Sequence, residues 1–108
     1  MSLSAVLSTA MSGMMAQERR ATATAQNIAN AQTPGYDRQQ TKFKSTDNGV
    51  EAAIAPSGNP DPNGNSNVDL AEEAMNLIES EISYKANADV FETGADMWDL
   101  LATVKRDD

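Results

Sequence analysis

Apolar residues recur at three- and four-residue steps along the first thirty residues of the chain. The stripe consists of Leu3, Leu7, Ala10, Met14, Ala21 and Ile28. This spacing predicts an amphipathic helix over residues 3–30, because an α-helix completes one turn in about 3.6 residues. Polar residues interrupt the strict heptad at Gln17 and Thr24, so the seam buries little apolar area by itself. Gly13 is either a weak spot of this helix or a point of close contact.

The segment Thr33-Pro34-Gly35 is expected to end the helix, since proline disfavours a helical conformation in the residue before it and glycine permits a turn. A β-hairpin is predicted next. Residues 36–44 and 50–55 mix apolar and polar residues on either side of Asp47-Asn48-Gly49, which is a strong turn signal. Residues 56–67 hold three of the four prolines together with several Gly and Asn, and they are predicted to form a loop.

A second, longer helix is predicted from Asp69 to Val104. Asp69 can cap its first turn, and Glu72, three residues on, completes a capping-box arrangement. One apolar stripe on this helix consists of Ala71, Met75, Ile78, Ile82, Ala86, Val90, Met97, Leu101 and Val104, and a second consists of Leu77, Tyr84, Ala88, Phe91, Ala95 and Trp98. A single antiparallel partner covers one narrow seam. We therefore expect this helix to contact both the first helix and neighbouring chains.

These elements predict a mainly α fold in one structural domain. The two long terminal helices are expected to pair as an antiparallel hairpin or coiled-coil-like bundle, with a short β-hairpin and loop inserted between them. The N-terminal helix occupies residues 1–32, the turn, hairpin and loop occupy residues 33–67, and the C-terminal helix occupies residues 68–108. Because 108 residues can form only a modest core, part of the apolar helix surface is expected to be covered by other subunits.

Charge is distributed unevenly along the chain, whose formal net charge is -8. Residues 1–44 carry five basic and two acidic residues, whereas residues 68–108 carry eleven acidic and three basic residues. The two regions should attract each other, which would steer association and make it sensitive to salt. The alternative is that these charges only solvate the helix faces. Nucleic-acid binding is not expected, because it requires clustered Lys and Arg.

The residues needed for catalysis or metal binding are scarce. The chain has no Cys and no His, which removes most common metal ligands and the usual general base. Four carboxylates of the second helix, Glu72, Glu73, Glu79 and Glu81, are interpreted as a solvated face. No apolar run reaches the roughly 18 residues of a membrane span. We expect no enzymatic activity, no cofactor, no metal site and no membrane insertion.

Two stretches at opposite ends of the chain resemble the paired terminal signatures of bacterial flagellar rod, hook and related axial proteins. The first covers residues 7–14 and 26–36. The second runs from Ser66 through Val90 and includes Asn67, Asp69, Glu73, Met75, Asn76, Ile78, Tyr84, Ala86 and Asn87. The short length resembles the small proximal rod proteins of the family most closely, although residues 37–65 form a shorter middle than is usual among them.

The resemblance implies a structural subunit of the basal-body rod that assembles by helix packing. Its expected partners are other copies of itself, other flagellar axial proteins and the flagellar type III export machinery. It also implies a periplasmic position in the basal body, reached without a cleaved signal peptide, and the first residues carry no basic and apolar regions of such a signal. The alternative is a soluble helical module with an export-related binding or regulatory role.

The predicted assembly interface combines the signature residues with the apolar stripes. Its members are Leu7, Met14, Asn27, Ile28, Asn30, Thr33, Gly35, Tyr36, Asn67, Met75, Ile78, Ile82, Tyr84, Asn87, Phe91, Trp98 and Leu101. Asn27 and Asn30 either complete the first helix or make hydrogen bonds between subunits. Tyr36 is expected to pack with its hydroxyl exposed. The aromatic residues of the second helix belong either to the core of the helix pair or to interface hot spots.

Overall fold

The chain, described by a computed structural model over residues 2–107, is elongated and measures 71 × 23 × 13 Å. Its elements in chain order are α1 (Leu3–Ala29), β1 (Gln39–Thr46), β2 (Gly49–Pro56) and α2 (Leu70–Asp107). This architecture confirms the predicted mainly α fold with a β-hairpin inserted between two long helices. The predicted terminal segments reach residues 1 and 108, which lie outside the described residues.

Both helices have the N–H groups of their first turn capped by a nearby side chain. At the start of α1 the Ser2 hydroxyl oxygen accepts a hydrogen bond from the Ala5 N–H at 3.1 Å. At the start of α2 the Asp69 carboxylate accepts from the Ala71 N–H at 3.0 Å. The first turn of α2 carries Glu72 and Glu73 and its last turn carries basic residues. This arrangement stabilises the helix, because acidic groups favour the positive end of the helix dipole and basic groups the negative end.

The helices pair antiparallel through a seam of small and polar residues. On α1 the buried residues are Ala10, Gly13, Ala16, Ala23, Thr24 and Asn27. On α2 buried Glu73, Ser80 and Gly94 and half-buried Asn87 follow one another at steps of seven residues, the spacing of a coiled-coil seam. The seam is therefore not built from the apolar stripes of the sequence. Small residues let the helix backbones approach closely, and most of the larger apolar side chains lie outside that contact, although Leu7 packs against Gly94.

Gly13 is a point of close contact between the helices. A Cβ atom at this position would lie 2.6 Å from Nδ2 of Asn87, well inside van der Waals contact. Gly94 makes the equivalent contact on α2, since a Cβ atom there would lie 2.7 Å from Cδ2 of Leu7. Of the two interpretations of Gly13, the structure supports close contact.

Substitution of Gly13 by valine is expected to lower the free energy of unfolding by about 1–3 kcal/mol, because the new side chain overlaps Asn87 and overpacks the seam. Urea unfolding followed by circular dichroism measures the loss. Met15→Val is the matched control, since Met15 is exposed on the same helix, and it should change stability by no more than about 0.5 kcal/mol. Equal losses in the two variants would contradict the close contact.

The β-hairpin pairs its strands antiparallel, from Gln39 opposite Pro56 to Thr46 opposite Gly49. It lies along α1. The Asn27 side chain donates to the Gln39 carbonyl at 2.9 Å, and the Val50 N–H donates to the Ser12 hydroxyl oxygen at 3.1 Å. The hairpin therefore covers α1 from its last turns to its middle.

The turn of the hairpin requires a glycine at its end. Gly49 has a φ of 141°, a backbone conformation that residues other than glycine rarely adopt. A Cβ atom there would also overlap the Ser12 hydroxyl oxygen. One face of the hairpin then packs on α1 through buried Ala52 and through Phe43, whose ring lies 5.9 Å from the Arg20 guanidinium carbon. The opposite face of the hairpin is exposed.

Candidate assembly surface and the junction that positions it

The large apolar side chains of α2 are mostly outside the core. Among the described residues the buried hydrophobic ones are all alanines: Ala10, Ala16, Ala23 and Ala52. The large apolar side chains of α2 that are exposed are Leu70, Met75, Leu77, Ile78, Ile82, Tyr84, Val90, Met97, Trp98, Leu100, Leu101 and Val104. Met75, Ile78 and Ile82 are 62%, 57% and 64% exposed. Because α2 already packs on α1, this uncovered apolar surface is what the fold offers to other chains.

The C-terminal end of α2 extends past α1. Gly94 lies against Leu7, and the helices run antiparallel, so the last two turns of α2 project beyond Leu3, where α1 begins. Around this end a shallow apolar groove is lined by Leu3, Val6, Val90, Gly94, Met97 and Leu101. Along the part of the chain that the structure describes, neither helix has an apolar stretch long enough to cross a membrane.

The predicted interface residues fall into three separate places. Exposed on the helices are Ile28, Met75, Ile78, Ile82, Tyr84, Trp98 and Leu101. Half-buried along the helix pair are Leu7, Met14, Asn87 and Phe91. The remaining residues, Asn27, Asn30, Thr33, Gly35, Tyr36 and Asn67, lie where α1, the hairpin and the start of α2 meet, a region we call the junction. The structure therefore does not gather the predicted set into one patch.

Asn27 is the centre of the junction and is only 1% exposed. Its Nδ2 donates to the Gln39 carbonyl at 2.9 Å and to Oε1 of Glu73 at 3.1 Å. Its Oδ1 accepts from the Gln39 N–H at 2.7 Å and from the Tyr36 hydroxyl at 3.0 Å. Both donors and both acceptor positions of the amide are thus used within the chain. This favours a role for Asn27 in the fold over hydrogen bonds between subunits.

The sequence suggested that the Tyr36 hydroxyl is exposed to solvent. The structure instead places this hydroxyl in a hydrogen bond within the chain. The hydroxyl donates to Oδ1 of Asn27. Burial raises the pKa of Tyr36 above its usual value, and the carboxylates of Glu73 and Asp37 raise it further. The hydroxyl therefore stays protonated, and a donor, throughout the ordinary pH range. The expectation was wrong because the turn at residues 33–35 brings Tyr36 back towards α1.

Glu73 corrects the interpretation of the α2 carboxylates as a solvated face. It is 0% exposed, and its Oε1 accepts from Nε of Arg38 at 2.8 Å and lies 2.7 Å from Nη2 of the same guanidinium. Its Oε2 is buried and accepts no hydrogen bond within residues 2–107. Glu72 lies 3.8 Å from Arg38 and stays largely exposed. A buried carboxylate of this kind depends on its paired arginine.

Sequence reasoning missed both Arg38 and the buried position of Glu73. One signal for Glu73 was present: it stands seven residues before Ser80, at the start of the series that continues with Asn87 and Gly94. Such a repeat of small and polar residues is the pattern of a close helix seam. No comparable signal marks Arg38, since its partner lies 35 residues away.

Asn67 holds the loop before α2 to the root of the hairpin. Its Oδ1 accepts from the Arg38 N–H at 2.7 Å, and its own N–H donates to the Tyr36 carbonyl at 3.2 Å. Its Nδ2 donates to Oδ1 of Asp37 at 2.8 Å and to the Asn59 carbonyl at 3.1 Å. The point at which the chain enters α2 is therefore fixed relative to β1.

Asp37 completes the same contact on the side of the loop. The Ser57 hydroxyl donates to its carboxylate, as does the Gly58 N–H at 2.8 Å. The hydrogen bond from Ser57 is the main cause that lowers the pKa of Asp37 below its usual value; partial desolvation opposes it, and hydrogen bonds from Asn67 and Gly58 add to the lowering. The carboxylate is therefore ionised at neutral pH, and it holds the start of the loop at Ser57 and Gly58 together with its end at Asn67.

The turn after α1 is closed by the remaining signature residues. Nδ2 of Asn30 donates to the Gln26 carbonyl at 2.8 Å, and Oδ1 of Asn30 accepts from the Thr33 hydroxyl at 3.0 Å. Gly35 has a φ of 72°, and its N–H donates to the Gly64 carbonyl at 2.9 Å. The turn thus sets the angle at which the chain leaves α1.

The two ends of this fold match flagellar proteins separately. A family model described as "Flagella basal body rod protein" matches residues 7–36, which are α1 and its closing turn. A second, described as "Flagellar basal body rod FlgEFG protein C-terminal", matches residues 64–104, which are the end of the loop and most of α2. The chain belongs to the flagellar rod and hook axial proteins. The two matched segments are the ones that pair in the structure.

Curated relatives of this flagellar axial protein are hook proteins. The flagellar hook protein FlgE of Rhizobium meliloti (strain 1021) is 48% identical over 59 residues, which cover 55% of this chain and 13% of the relative. FlgE of Brucella suis biovar 1 (strain 1330) is 51% identical over 41 residues, covering 38% of this chain and 10% of the relative. The chain thus spans only 10–13% of the length of these relatives. Proteins of this family are structural and are not enzymes.

Proposed function

We propose that this flagellar axial protein is a structural subunit of the basal-body rod, and that it assembles into the drive shaft by helix packing. The observation that supports this most is that small apolar residues are buried while large ones are exposed, the reverse of an ordinary globular core. The fully buried ones are alanines, whereas the large ones stand exposed along α2. Burial of these side chains against neighbours is worth about 1.5–3 kcal/mol each, which makes assembly favourable.

The form of the molecule suits open helical growth. Such growth requires heterologous contacts, in which two different surfaces of one subunit meet on successive copies. The outer side of α2 and the exposed face of the hairpin are two such surfaces, and the rigid junction holds them in a fixed relation. The expected partners are other copies of the chain, other axial proteins and the flagellar type III export machinery. That machinery would deliver the chain to a periplasmic position in the basal body.

Three observations bear on the position along the flagellar axis. The match of residues 7–36 to the basal body rod family and the lack of a large domain between the two matched segments support a rod position near that of the small proximal rod proteins, although this middle is shorter than is usual among them. The curated relatives, however, are hook proteins, which makes the hook the second candidate position.

The decisive experiment is to follow the chain into flagellar particles of its source bacterium. Hook-basal-body particles are purified and washed with detergent and salt, and the chain is located on them with a specific antibody and electron microscopy. A rod subunit remains after washing and is labelled below the hook, and deletion of its gene abolishes swimming. Label on the hook would move the assignment to a hook subunit. Complete loss in the wash would overturn a structural role and indicate the soluble export-related module.

A further inference from the structure

We propose that the exposed face of the β-hairpin receives the C-terminal part of α2 from a second copy of this chain. The hairpin outer face is defined by Lys42, Lys44, Glu51, Ala53 and Ala55, and the α2 tail by residues 89–106. The inference rests on the proposed function as an assembling subunit and names one of its contacts.

The hairpin outer face carries one net positive charge, because Lys42 and Lys44 outnumber Glu51, and its other β2 side chains are small alanines. Alternate residues of a strand point to opposite faces, so Lys42 and Lys44 lie on the side away from Phe43, which faces Arg20 of α1. Both lysines are exposed, and neither forms an ion pair within the described chain. Lys42 stands opposite Ala53 in the strand register and Lys44 stands opposite Glu51, so this face carries two lysines and one carboxylate. The small side chains on β2 leave room for a helix to approach the sheet.

The α2 tail is acidic on one side and apolar on the adjoining side. Its carboxylates follow one another at steps of three and four residues, which places them on one side of the helix: Asp89, Glu92, Asp96 and Asp99. All of them are exposed, and over residues 2–107 none lies within ion-pair distance of a cation. Beside them Met97, Leu100 and Val104 are exposed as well.

The two surfaces fit in spacing and in charge. Lys42 and Lys44 are two residues apart on a strand, or about 6.6–6.8 Å, and Asp96 and Asp99 are three residues apart on a helix, with Cβ atoms about 5–6 Å apart. The tail can therefore place two carboxylates on two lysines while its apolar side chains cover the alanines. Two α2 tails, in contrast, would place acid against acid.

The tail cannot reach the hairpin of its own chain. The tip of the hairpin, at Gly49, lies beside Ser12. The tail lies next to the first residues of α1 and then projects beyond them, away from that tip. A second copy must supply the tail, and that copy offers its own hairpin to a third. The contact is heterologous, so its repetition gives an open chain of subunits.

A charge exchange between two variants tests the contact. One variant carries Lys42→Glu and Lys44→Glu, and the other carries Asp96→Lys and Asp99→Lys. Each alone places like charges at every hairpin–tail contact, and an equimolar mixture restores opposite charges at every contact of a chain in which the two variants alternate. Sedimentation velocity over a concentration series should show oligomers of the unmodified chain. Each variant alone should need a roughly tenfold higher concentration, and the mixture should return to the unmodified value.

Two matched variants control for net charge. Arg19→Glu with Thr22→Glu and Gln26→Glu makes the same change in charge as the hairpin variant, and Glu18→Lys with Thr22→Lys and Gln26→Lys makes the same change as the tail variant, all at exposed positions of α1 outside the proposed contact. Both controls should oligomerise at concentrations close to that of the unmodified chain.

Three results would overturn the hairpin–tail contact: controls that are impaired as much as the variants, a mixture that gains nothing, or an unmodified chain that stays monomeric at every concentration. None of these results decides the proposed function, which is judged by retention of the unmodified chain in washed flagellar particles. If the unmodified chain is retained in the particles but the mixture of the two variants gains nothing, the chain assembles through a different surface.

Discussion

Replacement of Arg38 by methionine is expected to lower the free energy of unfolding by about 3–5 kcal/mol, because it leaves the buried carboxylate of Glu73 without its paired cation. A domain of 108 residues is stabilised by roughly 5–15 kcal/mol in all, so the variant should lose a large fraction of its total stability. Urea unfolding of dilute protein, followed by circular dichroism at 222 nm, measures the effect.

Two further variants separate the charge effect from lost packing. Arg38→Met combined with Glu73→Leu removes both charges and should recover most of the lost stability, since replacing both partners of a buried pair by apolar groups is often nearly neutral. Glu72→Gln, at the exposed neighbouring carboxylate, should change stability by no more than about 0.5 kcal/mol. A double variant as unstable as Arg38→Met alone would show that the guanidinium acts through packing and not by pairing with Glu73.

Replacement of Ile78 and Ile82 by serine is expected to abolish assembly while the single chain stays folded. Their side chains are 57% and 64% exposed, and isoleucine and serine have similar helix propensities, so each change should alter the free energy of unfolding by no more than about 0.5 kcal/mol. If neighbours bury both side chains, the loss is about 1.5–3 kcal/mol for each. That corresponds to association at least roughly a hundredfold weaker.

The measurement is retention of the variant in washed hook-basal-body particles, together with swimming of the strain that carries it. The matched control is Ile78→Leu with Ile82→Leu, which preserves apolar area and should be retained at the unmodified level. Circular dichroism of the purified serine variant confirms that it is folded. A folded serine variant that enters particles as well as the leucine control would rule out this part of α2 as an assembly surface.

The helices and the hairpin were readable from the sequence because each is specified by neighbouring residues. The periodic apolar positions of residues 3–28 predicted α1, and Thr33-Pro34-Gly35 predicted its end. Asp69 marked the start of α2, where it caps the first turn, and Asp47-Asn48-Gly49 marked the hairpin turn. These signals act over one to four residues, the range over which backbone conformation and local hydrogen bonds are decided.

The composition of the helix seam was not predicted. The apolar stripes suggested that Met75, Ile78 and Ile82 were candidates for contact with α1 as well as with other chains. The structure instead pairs the helices through small residues, because Gly13 and Gly94 allow close approach. Periodicity shows that a helix has an apolar side, but it does not show which side meets the partner within the chain.

The amino-acid sequence by itself determined the elements, their order and the excess of apolar helix surface over what so short a chain can bury. Only the tertiary structure decided the pairing of Arg38 with Glu73 and the full hydrogen bonding of Asn27, which join residues 35 and 46 positions apart. The physical reason is that a buried polar group is stable only where all its partners converge. That convergence depends on how the helices and the hairpin pack, which no local pattern specifies.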